Sequence, residues 1–310
     1  MPMRVFLAAL GLLVGTLHAK STPSATAAEF YYRQHDFRQA LALWQDVLLR
    51  DPDNYNARVR VAELSLWTEG HGTLAERMRP ALDAKSKLSP DARALLKRKF
   101  WELQTVFLTD QAQNLYYQGK HRAERGDARA AWDFLNQASV LDRGQFLILR
   151  ERARMEKALG EFDQFYETLR QAAKSYPYDS SNTTDLAEAH LRAKSPTAAL
   201  ETLRGLETPL NASQTILYAV SLADSGAGAS VLPTLRSLAV SRAGKPSPQP
   251  VVYYALAQVL ALTPGNEVES KKWLERFIQA VPTDTTPAAA WDPYHLPERL
   301  ADARRSLGRG

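Results

Sequence analysis

Six histidines, His18, His35, His71, His121, His190 and His295, are the residues best suited to metal or acid-base chemistry, yet none is paired at a metal-ligand spacing. The chain has no cysteine and no HExxH segment, so neither a structural nor a hydrolytic zinc site has a basis in the sequence. Paired carboxylates occur at Glu151 and Glu156 and at Glu267 and Glu269. Glycosidase-type chemistry needs two carboxyl groups facing each other across a cleft, and these spacings read instead as solvated helix faces. The stretch Asp224 to Ser230 holds Gly226 and Gly228 but lacks the Lys and Ser or Thr of a phosphate loop, so it reads as a turn between helices. No GxSxG nucleophile elbow is present. Asn211, Ala212 and Ser213 match a glycosylation acceptor in form only and read as the loop after Pro209. The residue types point away from an enzyme and call for no cofactor and no metal.

What remains is binding, and composition bounds its kind. Of 310 residues, 45% are hydrophobic and 24% charged, with 15 Gly and 17 Pro, the profile of a folded chain with a sizeable apolar core. The formal charge is +5, from 39 Lys and Arg against 34 Asp and Glu. That balance is weakly basic, without the concentrated positive stripe of a nucleic-acid binder. Residues 1–19 read as a signal peptide: Arg4, an apolar run from Val5 to Leu17, and Ala19 before a cut at Lys20. Leu17 is large for its place before the cut, so a later cut among Ala25 to Ala28, or an uncleaved anchor in the inner membrane, stays open. Export without cysteine points to a bacterial periplasm or the cell exterior. No other apolar run is long enough to span a membrane, so the mature chain is expected to have no span.

The elements that must present any binding residue are helices. Helical periodicity recurs with short polar breaks, and almost nothing alternates as a strand does. A register appears on small residues and proline: Tyr31, Phe37, Ala40, Trp44, Val47 and Pro52. It returns most clearly as Ala153, Gly160, Phe162, Phe165, Leu169, Ala172 and Pro177. Blocks start at 112, 146 and 180, a period of 34 residues, and others begin near Tyr55, Gln214 and Val251. Trp44, Trp132, Phe165 and Trp273 fall at second-helix positions with a buried pattern and read as packing residues.

In this period and these positions residues 21 to 282 resemble the tetratricopeptide repeat family. The copies are divergent: Arg143 stands where Pro is usual, Phe165 replaces the small crossing residue, and His35 replaces the common turn Gly. The resemblance implies an all-α, right-handed superhelical solenoid of antiparallel helix pairs, each stacked on its neighbours. The expected divisions are an N-terminal lobe over 21–88, an added helix within 89–111 spanning Asp91 to Leu108, a C-terminal lobe over 112–282, and a linker with a basic tail over 283–310. The tail segment holding Trp291, Tyr294, Leu296, Leu300 and Leu307 either folds back as a cap on the solenoid or docks on another protein.

The resemblance also implies a ligand groove lined by first helices. Carried over position by position, it selects Tyr116 and Lys120, then Arg150, Arg154 and Lys157, then Thr184 and Glu188, with Val252 and Ala255 in the last block. Arg150 and Arg154 stand four apart and share a helix face. Guanidinium groups grip carboxylates with paired hydrogen bonds, so a basic groove of this kind suits an acidic ligand. The expected function is an exported scaffold or adaptor that holds another envelope protein or an exported peptide, in envelope assembly, secretion or polysaccharide export. The alternatives are a helper that binds peptidoglycan or an anionic polysaccharide, or a helical-repeat enzyme; exposed charges with no dedicated ligand are the bland reading of the same residues.

Overall fold

The computed structural model describes residues 23–83, 87–206, 210–240, 249–281 and 291–308. The expected signal peptide and the linker 283–290 lie outside the described residues. Every regular element among the described residues is an α-helix, and most of the helices form antiparallel pairs in tandem. Contacts divide the chain into two compact units, one of residues up to Glu69 with Glu76–Leu103, the other of Gly70–Ala75 with Gln104 onward.

The first unit holds α1 (Pro23–Arg33), α2 (Phe37–Arg50), α3 (Tyr55–Glu69), most of α4 (His71–Leu82) and α5 (Pro90–Gln104) up to Leu103. Asp36 accepts from the Gln39 amide at 3.1 Å and so caps α2. Ala40, Leu41, Trp44 and Val47 recur at helical spacing along α2 and are buried against Ala28, Ala57, Val61 and Leu64. Trp44 is thus a packing residue. Charges cross from helix to helix on α1, α3 and α5: Arg60 meets Glu29 at 3.3 Å, and Lys99 meets Glu63 at 2.8 Å. α5, the helix expected within 89–111, buries Leu96 and Phe100 and stops at Gln104 rather than 108. It ends there because the next residues bond elsewhere: the Leu108 amide donates to Asp142 Oδ2 at 2.9 Å, and Thr109 caps the following helix.

The second unit contains α6 (Asp110–Glu124) with α7 (Ala128–Leu141), α8 (Phe146–Leu159) with α9 (Phe162–Ser175), and α10 (Ser180–Arg192) with α11 (Pro196–Arg204). Next come α12 (Ala212–Asp224) with α13 (Gly228–Ala239) and α14 (Pro250–Ala261) with α15 (Glu267–Ala280), before a single α16 (Leu296–Gly308). Small residues set the crossings. A Cβ on Gly119 would stand 2.7 Å from Leu135 Cγ and 3.2 Å from the Ala131 carbonyl, so α6 and α7 approach closer there than a side chain allows. Asn211 and Gln214 form a reciprocal capping box at the start of α12, which gives the sequence Asn211, Ala212, Ser213 its structural role.

In the turns inside the pairs one residue is left-handed: His35 (φ 60), Gly70 (85), Gly126 (80), Gly160 (76), Lys194 (56), Gly226 (84) and Gly265 (83). Glycine enters that region freely, whereas His and Lys pay a steric cost for it.

Candidate functional site

α8 and α10 are both first helices of pairs in the second unit. Phe146, Ile148, Leu149, Ala153 and Met155 turn one side of α8 into the core, which leaves Arg150, Arg154 and Lys157 along the other. These three residues line one depression of about 310 Å³. Its floor is apolar, formed by Ala153, Phe165 and Leu169, and α10 supplies Ser181, Asn182 and Asp185 opposite. Phe165, 1% exposed, is a packing residue as its position suggested, and its ring also forms part of this floor.

Each cation of the depression is paired with carboxylates in it or at its edge. Arg154 lies 2.9 Å from Glu151, Arg150 lies 3.7 Å from Asp179 and 3.9 Å from Glu151, and Lys157 lies 3.0 Å from Asp185 and 3.5 Å from Glu188. Three cations thus face four carboxylates, where the sequence suggested a basic groove. The carboxylates come from the turn before α10, from α10 itself and from α8, so helix stacking alone brings them in. Asn182 donates to the Leu169 carbonyl at 3.3 Å, and its buried Oδ1 has no hydrogen-bond partner.

Tyr116 and Lys120 do not line this depression. Tyr116 is buried among Ala131, Leu135, Ile148 and Met155, with its ring 5.1 Å from Phe107. Burial, and next the charge of Glu151, push its hydroxyl up to about 12. Position counting placed it in the groove, but an aromatic beside the α6–α7 crossing gains more by packing. Val252 and Ala255 are also buried. They belong to a core that includes Ala303, against which Tyr294, Leu296, Leu300 and Leu307 pack, so the chain's own tail lies over that core. Thr184 accepts from Gln214 at 3.1 Å, and Glu188 bonds the indole of Trp291 at 3.0 Å.

Glu151 and Glu156 are not the solvated pair that their spacing suggested. Glu156 is 1% exposed, held by Arg152 at 3.1 Å and by the Trp132 indole at 3.1 Å. Trp132 is half-buried and also lies under the Arg129 guanidinium at 5.0 Å. Trp273 is buried and stacks on Tyr253 at 5.6 Å.

A second polar cluster, which no spacing in the sequence announced, surrounds His71. Its Nε2 lies 3.0 Å from the Val106 carbonyl and 3.5 Å from Asp142 Oδ1, and both side chains are fully buried. Gln104 donates to the Ser175 carbonyl at 3.0 Å, and Gln145 donates to the Gln104 carbonyl at 2.9 Å. Burial pushes His71 down to about 4, although the Val106 and Gln104 oxygens favour its charged form. Burial pushes Asp142 up to about 6 against the Leu108 amide, which favours the carboxylate. At neutral pH the imidazole is therefore uncharged, and its contact with Asp142 is no ion pair. Shut off from solvent, this cluster ties turns together and offers nothing to a ligand. Among the described residues no group of three or more His, Cys, Asp and Glu is placed to hold a metal ion, and no helix is long and apolar enough to cross a membrane.

Tandem antiparallel helix pairs with small crossing residues and left-handed pair turns define a tetratricopeptide-like solenoid architecture. No protein-family model and no curated protein matches the chain. Among solved structures it is similar to a tetratricopeptide repeat protein from Parabacteroides merdae, at 14% identity, with 82% of this chain and 88% of that one covered and a TM-score of 0.42. It is also similar to YrrB, described as a tetratricopeptide protein with an unusual peptide-binding site, at 13% identity over 62% of this chain and 90% of that one, with a TM-score of 0.47. PilF of Pseudomonas aeruginosa matches at 15% identity over 69% and 90%, with a TM-score of 0.35. At these identities the likeness is one of paired-helix architecture alone.

Proposed function

We propose that the chain is an exported adaptor that holds a segment of a partner protein in the depression between α8 and α10. The observation that carries this is the pairing of Arg150, Arg154 and Lys157 with Glu151, Asp179, Asp185 and Glu188 above an apolar floor. A peptide offers that mixture, namely side chains of both signs, amide donors and acceptors, and apolar groups. A polyanionic glycan needs uncompensated positive charge, which carboxylates at these distances remove. The expected partner is accordingly another envelope protein or an exported peptide rather than peptidoglycan or an anionic polysaccharide. Export rests on residues 1–19, and intact-mass analysis of the exported protein should find a chain that begins near Lys20.

The binding test is a titration of a partner captured from native envelope extracts, at several salt concentrations, against the wild type and the double variant Arg150→Gln with Arg154→Gln. Loss of these two guanidinium groups should weaken binding by about tenfold or more, since each charge-assisted bond contributes roughly 1.5–3 kcal/mol. Circular dichroism checks that the variant is folded. Unchanged affinity and unchanged salt slope in a folded variant would leave the two arginines as ordinary surface residues. Saturable binding of purified anionic polysaccharide with no protein present would favour the glycan reading instead.

A further inference from the structure

The C-terminal segment does more than seal the last repeat. A helix that only covered the end of the array would pack on α15, yet this one also bonds the first helices. Tyr254 of α14 donates to Asp302 at 2.9 Å, Arg299 pairs with Asp224 at the end of α12, and Lys194, just after α10, meets Glu298 at 2.8 Å. His295 Nε2 lies 3.2 Å from the Leu191 carbonyl. Trp291 reaches further back along the array. Its ring meets Phe165 edge-on at 4.9 Å and Phe162 at 5.3 Å. Lys157 Nζ stands 4.7 Å above it, and its N–H donates to Glu188 at 3.0 Å.

Lys157 and Phe165 are also residues of the depression between α8 and α10. Trp291 therefore adjoins the proposed site, and its slot has an apolar wall, a cation over the ring and a carboxylate for the indole proton. That combination suits an aromatic side chain with its own N–H or O–H donor. We infer that the segment Trp291–Gly308 is an intramolecular ligand that competes with the partner, and that the partner is a peptide that places a donor-bearing aromatic residue in the Trp291 slot. This rests on the proposed peptide-binding function and adds the residue type recognised and its control. Because the segment belongs to the same chain, it competes for the slot intramolecularly, so a partner in solution binds the fraction of molecules with the slot vacated.

The test uses the full chain and a fluorescently labelled synthetic peptide with the sequence of residues 287–308. The wild type, whose slot is filled in cis, should bind it weakly. Trp291→Ala should bind it about tenfold more tightly or better, and a peptide with alanine in place of its tryptophan should lose that gain. If the alanine variant fails to fold, Trp291→Phe keeps a ring against Phe165 but removes the donor to Glu188, and it should show a smaller gain in the same direction. Equal affinity for wild type and a folded variant, or a gain that survives without the peptide's tryptophan, would overturn the inference. Neither of those results touches the partner titration above, which can succeed with Trp291 as mere packing.

Discussion

Two buried groups with opposite displacements make the pH dependence of stability a sharp probe of the His71 cluster. His71 is held at about 4, below its ordinary 6.5, so the stability tied to its neutral form is complete above pH 6.5 and drains away as pH falls to 4. Asp142 is held at about 6, above its ordinary 3.8. The stability tied to its protonated form is therefore complete below 3.8 and is lost as pH rises through 6. Between pH 6.5 and 4, acidification should cost about 3 kcal/mol through His71 and return about 2 kcal/mol through Asp142. The wild type thus hides most of both effects. Asp142→Asn keeps an acceptor for the Leu108 amide and removes one titration, so its stability should fall by about 2 kcal/mol more than that of the wild type over this window. His71→Gln should lean the other way, improving by about 3 kcal/mol relative to the wild type on acidification, whatever constant packing cost it carries. Urea unfolding at half-unit steps of pH gives the three profiles, and subtraction of the wild type removes groups common to all. Parallel profiles in both variants would refute the opposed pair.

Gly119→Ala should destabilise the second unit by about 1–3 kcal/mol despite the better helix propensity of alanine, because its Cβ would press on Leu135 and the Ala131 carbonyl; a urea midpoint equal to or above that of the wild type would contradict it. Phe100→Ala empties a fully buried site in α5 and should cost about 3–5 kcal/mol, seen as early loss of the first unit in denaturant. Deleting 89–111 should be worse still, with lower helicity and a lower melting temperature. Asn211→Ala breaks the α12 capping box and should cost about 1 kcal/mol, with faster amide exchange over the first turn of that helix as its local signature.

The paired helices were legible because burial repeats locally: Ala40 and Trp44, or Phe165, Leu169 and Ala172, mark buried faces by spacing alone. On α8 the same spacing sets Arg150, Arg154 and Lys157 on a common face, since that follows from positions within one helix. Glu188 was selected by the same position count, but its approach to Lys157 was not, and Asp179 and Asp185 were missed, because all three lie at or beyond the start of the next pair and stacking between pairs sets those distances. Tyr116 failed as a groove residue for the reverse reason, a neighbouring packed cluster that claimed its ring. The slot of Trp291 depends on a segment more than a hundred residues away in sequence, and no periodicity reports that. Phe165, too large for a standard crossing, forms the slot's wall, and Arg143 sits in a turn whose neighbours Asp142 and Gln145 build the His71 cluster.

The left-handed turn residues show that the joints of this chain are set by a torsion rather than by one residue type. His35 and Lys194 hold the same φ sign as the five glycines at equivalent joints, so the chain turns the same way whichever residue stands there. That makes the joints a ready means of engineering: glycine at 35 should relieve about 1 kcal/mol of steric strain at the turn, less the entropy it adds to the unfolded chain. At 194 the same change would sever the lysine's bond to Glu298 in the tail helix, so there rigidity of the array and release of its C-terminal segment would be traded against each other.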